Sequence, residues 1–177
     1  MRKGPALLTG AAGLLGQWLL QFAPRHGDVV ALTHRRAVAG VASVTADLRE
    51  APGVAAAMAK VDPTLVVHAA YAKDRELVVD ATRHVVDAAN AVGAHVLFIS
   101  TDAVFLGDGC ARDEQSAPNA TCDYGRWKAS AESIVLDGAD TAQSFGAVAR
   151  VDRPRRSRRA RDPGRCGERH ADAMVHR

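Results

Sequence analysis

Ala6-Leu7-Leu8-Thr9-Gly10-Ala11-Ala12-Gly13-Leu14-Leu15-Gly16 reads as a buried strand, a glycine turn and the start of a helix. Ala6-Leu7-Leu8 is a short apolar run that suits a strand covered on both faces. Leu15, Trp18, Leu19 and Phe22 recur at helical spacing and predict one apolar helix face. The glycines between them follow G-x2-G-x2-G spacing. Glycine lets the backbone turn sharply and approach a bound group closely. A helix N-terminus offers free N–H groups and a positive dipole end, which suit a pyrophosphate. Strand, turn and helix in that order predict dinucleotide binding, where an ordinary flexible turn needs no such neighbours. Arg2 and Lys3 ahead of an uncharged run from Gly4 to Pro24 also match a signal peptide. Gly10, Gly13 and Gly16 would weaken a signal helix, so the strand–turn–helix reading is preferred.

The same alternation continues along the chain. Asp28–Leu32, Thr64–Val67 and His95–Ile99 are apolar runs that read as strands. Pro52 marks a helix start ahead of Val54, Ala57 and Met58, and Leu77, Ala81, Val85 and Ala88 mark the face of a long helix. A Gly- and Asp-rich loop runs from Gly107 to Asn119, a helix from about Asp123 to Val135, and a weak last strand over Gly146–Ala149. Strands alternating with helices predict an α/β fold, a Rossmann-type doubly wound parallel sheet.

The 177 residues, 47% apolar and 24% charged, have the balance of a globular protein. The charge is uneven. Residues 1–149 carry 13 Lys/Arg against 16 Asp/Glu, whereas residues 150–177 carry 10 Arg against 4 Asp/Glu. The chain is therefore divided into a dinucleotide-binding domain, 1–149, and a non-globular Arg-rich tail, 150–177. Three cysteines without close spacing argue against a disulfide framework and suit a reducing cytoplasm. The histidines form no zinc-ligand pattern, so no metal is expected.

Two further stretches carry chemistry. Thr33-His34-Arg35-Arg36 follows the second strand, where an acid would favour NAD by binding the ribose 2′-hydroxyl. Arg35 and Arg36 can instead pair a 2′-phosphate, which leans toward NADP(H) over NAD(H); solvated surface arginines are the rival reading. Tyr124 and Lys128 stand four apart on a predicted helix and share a face. An ammonium lowers the pKa of a neighbouring phenol, and the pair can then protonate a carbonyl being reduced. Ser100-Thr101-Asp102 ends a strand where open α/β sheets bind ligands.

Taken in order, Thr9-Gly10-x2-Gly13-x2-Gly16, Asp47-Leu48, His68-Ala69-Ala70, Ser100-Thr101-Asp102-x-Val104-Phe105, Asp113-Glu114 and Tyr124-Gly125-x2-Lys128-x2-Ala131-Glu132 resemble the extended short-chain dehydrogenase/reductase superfamily. Within it the chain resembles the dTDP-4-dehydrorhamnose reductase family over roughly residues 4–140. Ala103 after Asp102 departs from the Asp-Glu pair typical of the superfamily's dehydratases. The resemblance implies reduction of the 4-keto group of a nucleotide sugar in dTDP-L-rhamnose synthesis. Thr101 would hydrogen-bond the substrate carbonyl, Tyr124 donate the proton, and Lys128 lower the tyrosine's pKa and hold the nicotinamide ribose. Gly10, Gly13, Leu14, Leu15 and Gly16 would meet the pyrophosphate. Asp47 and Leu48 would flank the adenine, and Ala69, Ala70 and Tyr71 would line the cofactor channel. Asp102 and Val104 would contact substrate. Trp127 is a candidate wall of the site, with a core role the commoner fate, and His68 reads as a structural histidine. The same family includes a regulatory subunit of methionine adenosyltransferase, so a non-catalytic binding module is the alternative. A cytoplasmic protein is implied, with a nucleotide sugar as partner, a homodimer compatible with it, and no membrane contact.

Two departures stand out. Asp80 falls where the superfamily usually has an asparagine, which would alter the proton relay near Lys128. After residue 149 the family's substrate-binding part gives way to an Arg-rich stretch without hydrophobic period. That tail reads as out-of-frame translation, as a solvated extension, or as a disordered segment binding nucleic acid through phosphates. Loss of the later elements predicts an exposed apolar sheet edge or face.

Overall fold

β1 (Ala6–Thr9), β2 (Val29–Thr33), β3 (Ala42–Thr45), β4 (Leu65–His68), β5 (His95–Thr101) and β6 (Gly146–Val151) form one sheet in the computed structural model. The structure describes residues 3–22, 28–107, 112–113, 115–138 and 146–151. Every adjacent pair is parallel, and the order is β3-β2-β1-β4-β5-β6. This is the doubly wound Rossmann order, whose direction reverses between β1 and β4 and opens a crevice at their C-terminal ends.

The helices are α1 (Leu14–Phe22), α2 (Ala51–Val61), α3 (Ala81–Val92) and α4 (Asp123–Gly138). Pro52 lies in the first turn of α2, where its missing N–H costs no hydrogen bond. Asp62 ends α2 in the left-handed region at φ 47°, and Gly93 ends α3 at φ 68°. A π-helical turn, Glu76–Asp80, leads into α3, where a single long helix was expected.

α2, α3 and α4 cover one face of the sheet. There Leu7, Val66, Val96 and Phe98 pack against Val54, Met58, Val85, Ala89 and Val135. α1 lies over the other face, where Leu8 and Ala31 meet Leu19 and Leu20. Gly16 is the buried residue of this helix, pressed against the backbone of Gly10 and Ala11. That close approach sets the rotation of α1 and corrects the predicted face. Leu19 turns inward, while Trp18 and Phe22 are exposed and stack on each other at 5.8 Å.

Only part of this second face is covered among the described residues. Leu65, Val67, Leu97 and Ile99 alternate with buried neighbours on β4 and β5 and remain partly exposed. Parallel sheets are ordinarily buried on both sides. β3 was not expected. Its Ala-Ser-Val-Thr run is short and buries only Val44, so it lacks an apolar signature. β6 includes Arg150 and Val151, which corrects the boundary drawn at 149. Residues 152–177, on which the remaining tail readings fall, lie outside the described residues. Among the described residues no helix is long and apolar enough to cross a membrane.

Candidate active site

A cleft of about 720 Å³ follows the C-terminal ends of the strands. The turn between β1 and α1 lies midway along it, as β1 does in the sheet. Gly10 adopts φ +71°, and a Cβ there would lie 2.5 Å from the carbonyl oxygen of Ala69 on the β4 side. A Cβ on Gly16 would collide with the Gly10 carbonyl oxygen. Both positions thus require glycine, one for its backbone angle and one for close packing. The first turn of α1 holds no acidic side chain, so no residue of that turn offsets the positive end of the helix dipole. Gly13, Leu14, Leu15, Ala69, Ala70 and Tyr71 line this part of the cleft. Gly10→Ala is expected to lower the unfolding free energy by about 2 kcal/mol or more, measured by urea denaturation.

His34, Arg35, Arg36, Asp47, Leu48 and Arg49 line the far end. The Arg49 backbone N–H donates to Asp47 at 3.0 Å and, with His34, Arg49 and Arg35 nearby, holds that carboxyl below its usual range. The Arg49 guanidinium also meets Asp74 at 3.8 Å and Glu76 at 3.2 Å, which ties this end to the segment before α3. Sequence reasoning missed Arg49 because two of its carboxylate partners, Asp74 and Glu76, come from a distant segment.

Thr101, Tyr124 and Lys128 come together at the other end. Tyr71 sets its ring edge-on to Tyr124, with centroids 5.7 Å apart. Lys128 is 5% exposed. Its Nζ donates to the Ile99 carbonyl at 2.6 Å and lies 3.9 Å over the Phe98 ring. Burial lowers its pKa to about 8, against the opposing pull of Glu132. The Thr101 hydroxyl donates to Asp102 at 3.0 Å and accepts from the Ala103 N–H at 3.2 Å.

Three expectations are corrected. Val104 is fully buried, so substrate contact is closed to it. Asp102 lies outside the cleft lining and faces the Thr101 hydroxyl. Asp80 pairs with Arg75 at 3.0 Å on the surface and does not line the cleft beside Lys128. Trp127 packs against the main core from a partly buried position.

His68 is structural. Thr82 donates to the Val78 carbonyl at 2.7 Å, so its oxygen must accept from His68 Nε2 at 3.1 Å. His68 Nδ1 is then the acceptor of the Thr9 hydroxyl at 2.6 Å. This order assigns a neutral ring protonated on Nε2. Complete burial, helped by the charge of Lys128, lowers its pKa to about 3. The chain Thr9–His68–Thr82 joins β1, β4 and α3 directly beneath the glycine turn.

The family model described as the RmlD substrate binding domain matches residues 5–151. The chain belongs to this family. Methionine adenosyltransferase 2 subunit beta of Bos taurus is 30% identical over 143 residues, which are 74% of this chain and 42% of that protein. The chain therefore spans less than half the length of the curated relatives it matches. A hypothetical dTDP-4-dehydrorhamnose reductase from Sulfolobus tokodaii is 25% identical, with a TM-score of 0.72 over 84% of this chain and 55% of that one. The dTDP-4-dehydrorhamnose reductase of Bacillus anthracis, solved with NADP, shares the fold at 24% identity and a TM-score of 0.66, over 86% of this chain and 54% of that one.

Proposed function

We propose that this chain is the cofactor-binding, proton-donating half of a reductase that converts the 4-keto group of a nucleotide sugar to an alcohol. The product class is that of dTDP-L-rhamnose synthesis. The observation that carries the reading is one cleft lined both by the glycine turn and by Thr101, Tyr124 and Lys128.

The cradle fits a dinucleotide, because its glycine positions leave room that any Cβ would fill. The turn and the first amides of α1 would hold the pyrophosphate, with Asp47 and Leu48 beside the adenine. Arg35 and Arg36 would meet a 2′-phosphate, which favours NADP(H). A reduced nicotinamide, when bound, supplies hydride to the carbonyl carbon. Tyr124 delivers the proton to the carbonyl oxygen as general acid. Lys128 would steady the phenolate left behind and hold the ribose hydroxyls of a bound cofactor. Thr101 must turn its hydroxyl from Asp102 to the substrate oxygen before it can help hold the carbonyl.

Titration of the purified chain with NADPH and NADH, followed by fluorescence, tests the cofactor assignment. Saturable binding that favours NADPH is expected. Arg35→Ala with Arg36→Ala should weaken NADPH about tenfold or more and leave NADH nearly unchanged. No binding by a folded chain overturns the reading. The similarity to methionine adenosyltransferase 2 subunit beta favours a second reading, a binding module without turnover. NADPH binding without NADPH oxidation when a 4-keto nucleotide sugar is added would select it.

A further inference from the structure

The turn that follows β3 closes on itself. The Glu50 backbone N–H donates to the Asp47 carbonyl at 3.0 Å, and the Arg49 N–H donates to the Asp47 side chain at 3.0 Å. Those bonds shape the turn but tie it to no other element. Ion pairs run from Asp47 to His34 and from Arg49 to Asp74 and Glu76, and each includes a group 41% exposed or more. Pairs of that kind are screened by water and salt. His84 on α3 is partly buried, and its Nδ1 lies 3.0 Å from the Leu48 carbonyl oxygen. A carbonyl oxygen only accepts, so the ring carries a proton on Nδ1 and donates it. Leu48 is buried and still lines the cleft, whereas His84 does not. The two stand 36 residues apart, and only the docking of α3 beside the turn brings them together.

We propose that His84 is a positioning residue for cofactor binding: its hydrogen bond to Leu48 holds the Asp47–Leu48 turn where it walls the adenine. The proposal rests on the cofactor reading given above. His84 acts through Leu48 and touches no ligand itself. The wall and the flat face of an adenine ring attract only at close contact, and a gap of about 0.5–1 Å forfeits a quarter to a half of that attraction. Without the His84 donor the Leu48 carbonyl is better served by water, and the turn moves to reach it. The loss falls on the adenine half of the cofactor, because Thr101, Tyr124 and Lys128 line the other end of the cleft.

Adenosine 2′,5′-bisphosphate carries the adenine half of NADPH without the nicotinamide and serves as the probe, titrated calorimetrically alongside NADPH. His84→Leu keeps most of the volume and removes the donor; it is expected to weaken both ligands about three- to tenfold. His84→Asn offers an amide N–H at about the reach of Nδ1 and should restore most of the wild-type affinity. A role in packing alone predicts no such split between the two variants. Wild-type affinity in folded His84→Leu overturns the proposal, and so does equal weakening in His84→Leu and His84→Asn. Nitrogen NMR of the wild type tests the bond without a substitution, with the ring signal assigned by its absence from His84→Asn. The His84 ring should carry its proton on Nδ1, and a ring protonated on Nε2 alone overturns the proposal whether or not His84→Leu folds. A folded wild type that binds neither ligand defeats the cofactor reading and this proposal with it. A wild type that binds both, beside an equally tight His84→Leu, defeats this proposal alone.

Discussion

Tyr124→Phe is expected to cut turnover of a 4-keto nucleotide sugar by about a hundred- to ten-thousandfold while changing NADPH affinity little. The substitution keeps the ring, so the edge-on contact with Tyr71 survives. What is lost is the phenolic proton at the end of the cleft that Thr101 and Lys128 also line. A phenol with a pKa near 10 is a reluctant donor at neutral pH, and the ammonium of Lys128 remedies this by favouring the phenolate. Lys128 is charged below its pKa of about 8 and neutral above it. Turnover in the wild type should accordingly fall as pH rises through about 8. Steady-state rates and cofactor titrations on the same preparations check both statements, and an undiminished rate in Tyr124→Phe removes the proposed acid.

Acid should destabilise the fold through His68 by about 3 kcal/mol on going from pH 7 to pH 4. The folded state holds this ring neutral down to about pH 3, whereas an unfolded chain protonates it below 6.5. The folded pKa is the lower one, so the unfolded state binds more protons between these values. Stability is complete above about pH 6.5 and is lost progressively as pH falls toward 3. Protonation on Nδ1 would also destroy the acceptor of the Thr9 hydroxyl, beneath the turn that shapes the cofactor cradle. Asp47, held below its usual range, adds its own loss only below about pH 4. Urea unfolding between pH 4.5 and 7 therefore isolates the histidine. His68→Asn retains a donor and an acceptor without a titrating ring and should flatten the stability curve over that window. A curve as steep in His68→Asn as in the wild type would assign the acid lability elsewhere.

Legibility followed the range of the interaction. Gly10, Gly13 and Gly16 announced their turn because its requirement is local, an angle at one residue and a close approach six residues on. Tyr124 and Lys128 were legible for the same reason, being one helical turn apart. β3 was not, because an edge strand with one buried residue carries almost no pattern. Trp18 and Phe22 misled, because apolar spacing along a helix does not say which way the helix rolls. Val104 misled in another way. Its place in a motif marked the neighbourhood of the site, but a buried side chain behind a strand end meets the core instead of the ligand.

By itself the sequence determined the alternation of strand and helix, the glycine turn and the spacing of the tyrosine and lysine. These depend on residues within a few positions of one another, where backbone geometry leaves few options. Only the tertiary structure decided the roll of α1 about Gly16, the tautomer of His68 and the reach of His84 to the Leu48 carbonyl. Each of those depends on groups brought together across separate elements, where the low dielectric of the interior makes one hydrogen-bonded arrangement far better than its rivals.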